Sequence, residues 1–188
     1  GRDVNVDAVQ DIALGTTDAG RDIILKSGRN TRATTTTAGG TLTADARGTL
    51  TLGSAQTKGD QTLTARGDLT TTTLESTGGK IAATSETGTL KTGTTTAQAV
   101  ALTAKAGSID ADTTTATVGD IAFTAAQDVT GKLSTAKQDV LAKAGRDVSL
   151  GTTSAGRDVN VDAVQDIALG TTDAGRDIVL KSGRNTRA

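Results

Sequence analysis

The chain has 188 residues, with 20 basic and 21 acidic side chains, and it contains no His, Cys, Pro or Trp. A net charge of −1 with almost no aromatic side chains argues against a nucleic-acid partner, and no apolar run reaches the length of a membrane span. Without His and Cys the commonest catalytic base and nucleophile are missing, so we expect no enzyme, no metal site and no cofactor.

The opening 33 residues recur almost unchanged at the other end of the chain. Residues 1–33 and 156–188 differ only at Ile24 and Val179. A shorter cycle lies inside each copy, because the string GRDVNVDA at Gly1 is followed nineteen residues later by GRDIILKS. A unit of this length cannot bury a core alone, so the chain is predicted to be an array of stacked repeats.

Each unit alternates apolar and polar residues with a period of two, which is typical of a strand with one buried face. The predicted first interior residues of successive units are Val4, Ile23, Leu42, Leu63, Ile81, Val100, Ile121, Val140, Val159 and Ile178. Most steps are nineteen residues long, and turns are expected to absorb the differences. Two short strands and a Thr-rich third side then form one coil. We predict an all-β fold, a right-handed parallel β-helix of about ten coils over residues 1–188.

Runs of threonine recur at nearly the same phase of each unit and form this third side. They are Thr16-Thr17, Thr34 to Thr37, Thr70 to Thr73, Thr94 to Thr96, Thr113 to Thr115, Thr152-Thr153 and Thr171-Thr172. Stacked coils would place equivalent hydroxyl groups about 4.8 Å apart. One alternative function is therefore an ice-binding surface. The run lengths vary, however, and the segment Gly53-Ser54-Ala55 interrupts the series.

The repeats resemble those of a known class of bacterial surface protein. The units GRDVNVDAVQDIALGTTDA, GRDIILKSGRNTRA and GTLTADARGTLTLGSAQT look like the haemagglutinin repeats of filamentous haemagglutinins, which are secreted adhesins exported by two-partner secretion. The resemblance covers essentially the whole chain. It implies a right-handed β-helical shaft that is part of a longer fibre, located extracellularly at the cell surface, with an outer-membrane secretion partner for the parent chain. It also implies attachment to host-cell receptors, either integrins or glycans; the alternative is a purely structural spacer.

The tripeptide Arg66-Gly67-Asp68 is a candidate integrin-binding site. A guanidinium and a carboxylate on either side of a Gly turn can pair with an acidic pocket and complete a metal site on the receptor. The alternative is a turn whose composition follows from the repeat, because the same letters recur throughout the chain.

The related string Gly-Arg-Asp begins at five positions, Gly1, Gly20, Gly145, Gly156 and Gly175. Stacked arginines such as Arg2 and Arg21 could bind anions or glycosaminoglycans. The favoured interpretation is a solvated corner in which Gly adopts a positive φ and Arg and the adjacent Asp cancel their charges.

Two basic clusters are candidate contacts for sulfated glycans. One is Lys26, Arg29 and Arg32, and its copy is Lys181, Arg184 and Arg187. Basic side chains at this density attract polyanions. Outward-facing charges are also expected to pair between coils, Asp7 with Lys26 and Asp162 with Lys181.

Overall fold

The chain folds into a parallel β-solenoid in which shorter and longer strands alternate. The computed structural model describes residues 2–188, so the Gly-Arg-Asp corner predicted at Gly1 lies partly outside the described residues. The first sheet contains β1 (Val4–Ala8), β3 (Ile23–Ser27), β5 (Leu42–Ala46), β7 (Gln61–Ala65), β9 (Lys80–Ser85), β11 (Ala99–Ala104), β13 (Ile121–Ala125), β15 (Val140–Ala144), β17 (Val159–Ala163) and β20 (Ile178–Ser182). The second sheet contains β2 (Ile12–Ala19), β4 (Thr31–Ala38), β6 (Leu50–Thr57), β8 (Leu69–Ser76), β10 (Leu90–Ala97), β12 (Ile109–Ala116), β14 (Val129–Ala136), β16 (Val148–Ala155), β18 (Ile167–Leu169), β19 (Thr172–Ala174) and β21 (Thr186–Arg187).

Neighbouring strands in both sheets pair in parallel, and equivalent residues of successive units lie beside one another. Val4 pairs with Ile23, which pairs with Leu42, so each step along the sheet is one repeat unit of the sequence. We number the coils 1 to 10 after the ten strands of the first sheet. The prediction of an all-β array of about ten coils is confirmed. Nine steps of about 4.8 Å give the rod a length of about 43 Å.

The interior is an aliphatic column that runs through both sheets. In the five-residue strands the first, third and fifth residues point inward, as the alternation in β5 shows. The single aromatic residue, Phe123, is 1% exposed and lies between Leu102 and Ala142 in the stack. A small residue beside the large ring keeps the column filled, as close packing of protein interiors requires.

One of the predicted interior residues was assigned to the wrong place in its coil. The strand pairing shows that Gln61, not Leu63, is equivalent to Leu42 and Ile81, while Leu63 is equivalent to Ala44. The prediction assumed that the first interior residue must be apolar. Gln61 is nevertheless fully buried.

Gln61 is held in the core by donating its amide hydrogens to neighbouring oxygen atoms. Its Nε2 lies 2.7 Å from the carbonyl oxygen of Glu75, 3.1 Å from that of Ala55 and 3.3 Å from Thr57 Oγ1. Its Oε1 has no partner among the described residues. A buried amide whose donors are hydrogen-bonded but whose acceptor is unpaired recovers only part of the free energy that it loses on leaving water.

The threonine runs were predicted to form a separate third side, and this was wrong in one respect. Most of them lie in the second half of the long strands of the second sheet, after a bend where the pairing skips one residue, between Leu14 and Thr16 in β2. Thr70 and Thr71 instead lie before the equivalent bend in β8. One threonine in each of several runs points inward and is at most 1% exposed. These residues are Thr36, Thr95, Thr114 and Thr153. The flanking threonines point outward, so consecutive threonines alternate between the two faces of the sheet.

Replacing Gln61 tests whether its partial hydrogen bonding limits stability. We expect Gln61→Leu to be at least as stable as the parent chain, because leucine extends the column of Leu42 and Ile81 and removes the unpaired oxygen. The matched variant Gln61→Ala leaves a cavity and should lose about 2–4 kcal/mol. Thermal unfolding followed by circular dichroism measures both. A Gln61→Leu variant as unstable as Gln61→Ala would show that the amide contacts dominate.

Candidate functional site

Carboxylates at the corners between the two sheets form ladders that connect one coil to the next. Asp139 Oδ1 accepts a hydrogen bond from the backbone N–H of Asp158 at 3.1 Å, and Asp158 Oδ1 accepts one from Asp177 at 3.2 Å. A second ladder runs along the other corner, where Asp147 Oδ1 bonds to the N–H of Asp166 at 3.0 Å. Each carboxylate therefore satisfies a backbone donor of the following coil at the point where the strand begins.

The arginines of the Gly-Arg-Asp strings reach back to the preceding coil. Arg157 donates to Asp139 with both Nε, at 3.1 Å, and Nη2, at 2.6 Å, and Arg176 Nη2 lies 2.7 Å from Asp158 Oδ2. Arg146 makes the same two-point contact with Asp128. The prediction had paired each Arg with its own neighbouring Asp. The pairing instead joins residues eighteen apart and relieves the repulsion between stacked carboxylates.

The ladder lowers the pKa of its carboxyl groups. The hydrogen bond from Arg157 is the main reason that the pKa of Asp139 is lowered, with the N–H of Asp158 adding to it. The hydrogen bond from Arg146 likewise lowers the pKa of Asp128. Partial desolvation opposes both shifts but is the smaller effect.

The glycines of these corners do not adopt the predicted backbone conformation. Among the described residues no glycine has a positive φ. Close approach of the coils explains their presence instead. A Cβ on Gly145 would overlap the carbonyl oxygen of Ala126 in the coil below, while the Gly145 N–H donates to the Ala125 oxygen at 3.0 Å.

The candidate integrin-binding tripeptide lies at the corner that joins β7 to β8. The N–H of Arg66 donates to the Ala46 oxygen at 2.9 Å, and the N–H of Gly67 donates to the Gly48 oxygen at 2.8 Å. Asp68 Oδ1 accepts the N–H of Thr89 in the next coil at 2.8 Å. The tripeptide is therefore a hydrogen-bonded corner, in which Arg66 and Asp68 are exposed and one oxygen of the Asp68 carboxylate already has a structural partner.

The predicted glycan-binding cluster around Lys26 is divided among three segments of coil 2. Lys26 lies on the first sheet, Arg29 at the corner and Arg32 on the second sheet, and all three are exposed. Lys26 is stacked between Asp7 and Asp45, so acidic groups flank it on both sides.

The copy of this cluster is in coil 10 and has acidic and amide neighbours. Lys181 Nζ is 3.9 Å from Asp162 Oδ2, which confirms the predicted pairing of those residues, and Arg184 bonds to the Gln165 side chain. Arg187 is exposed on β21. Neither cluster forms a continuous basic stripe along the rod.

The outward threonines form a column that is less regular than the sequence indicated. Thr16 pairs with Thr35, and Thr94 pairs with Thr113, in one outward column of the second sheet. Ser54 and Leu133 stand elsewhere in the same column. The next outward column contains charged and amide side chains, namely Asp18, Gln56, Glu75 and Asp173. An ice-binding plane would require both columns to be uniform.

Comparison of the chain with protein-family models, with curated proteins and with solved structures gives no match. Within residues 2–188 no group of three or more Asp or Glu side chains is arranged to hold a metal ion. The same residues include no helix suited to crossing a bilayer.

Replacing the Asp139 carboxylate tests the role of the carboxylate ladder. Asp139→Ala deletes both the acceptor for the Asp158 N–H and the partner of Arg157, so we expect a loss of about 1–2 kcal/mol and faster exchange of the Asp158 amide hydrogen. Asp139→Asn keeps the acceptor, as Asn30 does naturally for the Thr49 N–H at 2.9 Å, and should lose clearly less. Hydrogen exchange and thermal melting measure the difference. Equal losses in the two variants would contradict the capping role.

The same ladder predicts an acid-sensitive stability. Because the pKa values of Asp128 and Asp139 are lowered in the folded chain, the unfolded chain takes up protons first as the pH falls. Stability should be level from pH 7 to about 5 and decline below about 4, the ordinary Asp range. Thermal melting across this range measures it. In the double variant Asp128→Asn/Asp139→Asn the decline should be shallower, and an unchanged slope would rule out these two groups.

Proposed function

We propose that this chain is a segment of the shaft of a secreted adhesin at a bacterial surface, and that it spaces and presents attachment sites for host cells. The observation that carries the proposal is the uninterrupted stack of coils. Strand pairs connect all ten coils of the first sheet in order, and the aliphatic column runs from coil to coil inside them. Such a rod resists bending because every coil is bonded to its neighbours along both sheets.

Short corners support a role in spacing rather than in chemistry. Between consecutive strands of the two sheets the chain uses only a few residues, for example 20–22 before β3 and the single residue 98 before β11. No corner of the described residues is long enough to build the walls of a deep substrate groove. Contacts with other molecules would therefore be made by outward columns and by exposed corner side chains.

Within this proposal the Arg66-Gly67-Asp68 corner is the attachment site for an integrin-type receptor. Both charged side chains are exposed on the surface of coil 4. The second oxygen of the Asp68 carboxylate, Oδ2, is available to a receptor-bound cation, because the hydrogen bond from the Thr89 N–H uses Oδ1 only. The alternative is a purely structural spacer, in which the corner does nothing beyond joining two coils.

A matched pair of substitutions separates these two possibilities. Asp68→Asn removes the charge needed by a receptor-bound cation but keeps an oxygen for the Thr89 N–H. Asp60→Asn makes the same change at a carboxylate whose Oδ1 caps the Lys80 N–H at 2.8 Å outside the tripeptide. We expect integrin-bearing cells to adhere to the immobilised parent chain and to Asp60→Asn, and adhesion to fall to background on Asp68→Asn. Equal adhesion to all three would leave the spacer as the function.

A further inference from the structure

The outward face of the first sheet carries a charge pattern that is reversed from one end of the rod to the other. The column in register with Lys26, here called the Lys26 column, starts with Asp7, Lys26 and Asp45 in coils 1 to 3. It ends with Lys143 in coil 8, followed by Asp162 and Lys181 in coils 9 and 10. The signs read minus, plus, minus at one end and plus, minus, plus at the other.

The middle of the same face is uncharged and built from small side chains. In coils 4 to 7 the Lys26 column contains only threonine, namely Thr64, Thr84, Thr103 and Thr124. The neighbouring outward column contains Thr62, Ala82, Ala101 and Ala122 in the same coils. Small side chains leave this part of the sheet flat enough for another sheet to pack about 10 Å away.

We propose that two copies of this chain associate face to face through the first sheet, with the rods antiparallel. A two-fold axis that lies between coils 5 and 6 and parallel to the strands places coil 1 opposite coil 10, coil 2 opposite coil 9 and coil 3 opposite coil 8. The Lys26 column then faces itself. Asp7 meets Lys181 of the second copy, Lys26 meets Asp162, and Asp45 meets Lys143, so all six charges of each copy face an opposite charge.

A parallel arrangement lacks this complementarity. If the two-fold axis runs along the rod instead, each coil faces its own equivalent and the Lys26 column faces the neighbouring column. Asp7 would then meet Asn5 and Lys26 would meet Ile24, so these charges would face no opposite charge on the second copy. Opposite charges placed across an interface select one orientation over others in this way.

The size of the face is adequate for a specific dimer. Nine coil steps of about 4.8 Å and strands about 16 Å wide give about 700 Å² per copy, close to the ~800 Å² per partner of a standard interface. Apolar side chains at one end add to the contact, because Leu141 is 41% exposed and Val179 is 53% exposed. They line a shallow depression of about 380 Å³ with Thr124 and Lys143.

The duplicated ends of the sequence explain how such a pattern can form. Each copy of the 33-residue string carries an aspartate column residue followed one coil later by a lysine, Asp7 then Lys26 and Asp162 then Lys181. Two identical acidic–basic steps at opposite ends of a rod become complementary when one rod is turned end for end. This pairing needs only the first sheet and does not depend on the adhesive function.

A charge-swap series tests the pairing of Asp45 with Lys143. We expect the parent chain to sediment as a dimer at about 100 µM and low ionic strength, and to dissociate as salt is added. Asp45→Lys or Lys143→Asp alone should weaken the dimer about tenfold, since each creates two like-charge contacts per dimer. The double swap Asp45→Lys/Lys143→Asp restores opposite charges and should recover most of the affinity. Lys58→Asp, an equal charge change away from the face, should have little effect.

Crosslinking of single cysteine variants fixes the orientation, because the chain has no native Cys. With a bismaleimide that spans the spacing of about 10 Å between packed sheets, Ala101→Cys near the two-fold axis should crosslink to itself. Asn5→Cys should crosslink to Val179→Cys of a second copy but not to another Asn5→Cys. A monomeric parent chain, a double swap as weak as the single variants, Asn5→Cys self-crosslinking, or association without the Ala101→Cys crosslink would each overturn the proposal. The last result would indicate end-to-end stacking.

Discussion

Hydrogen bonding between successive coils in fixed register is the constraint from which the other features follow. A residue in one coil must lie beside its equivalent in the next, so the number of residues between interior positions cannot change within a strand. Variation in length is confined to the corners. Three residues, 20–22, separate β2 from the interior residue Ile23, whereas four residues, 77–80, separate β8 from the equivalent residue Ile81. Each side chain therefore lies beside the equivalent residues of the neighbouring coils as well as beside its neighbours in the sequence.

Much of this fold could be predicted from the sequence because its strongest signal is local. Alternation of apolar and polar residues with a nearly constant period indicated the strands, the stacking and the number of coils. The same rule failed at Gln61, where it required an apolar residue and moved the assignment to Leu63. Only the register with Leu42 and Ile81 shows that a buried amide occupies that place. Local alternation cannot predict a polar core residue whose hydrogen-bond partners come from a different strand.

The corner chemistry was predicted incompletely because its partners are distant in sequence. Asp139 and the Asp158 N–H that it caps are nineteen residues apart, and Arg157 and the Asp139 carboxylate that it neutralises are eighteen apart. The recurrence of Asp120, Asp139, Asp158 and Asp177 at intervals of nineteen was a signal that could have indicated the ladder. The inward threonines were missed for a related reason. The bend near Gly15 shifts the alternation, and consecutive threonines give no apolar contrast that would reveal the shift.

Because the outward side chains are arranged in columns, the face of the first sheet and the corners beside it can have different functions on one rod. The Arg66-Gly67-Asp68 corner borders the first sheet without contributing to either of its outward columns. An antiparallel pair formed through that sheet would keep the corner of each copy exposed, and the symmetry would place both corners along the same edge. Coil 4 of one copy would then lie opposite coil 7 of the other, so the two tripeptides would be separated by about 14 Å along the rod. Two weak sites held at a fixed short distance bind a surface that carries many receptors more strongly than either site alone. If the corner binds a receptor as proposed, pairing of two copies would increase attachment without any new contact to the receptor.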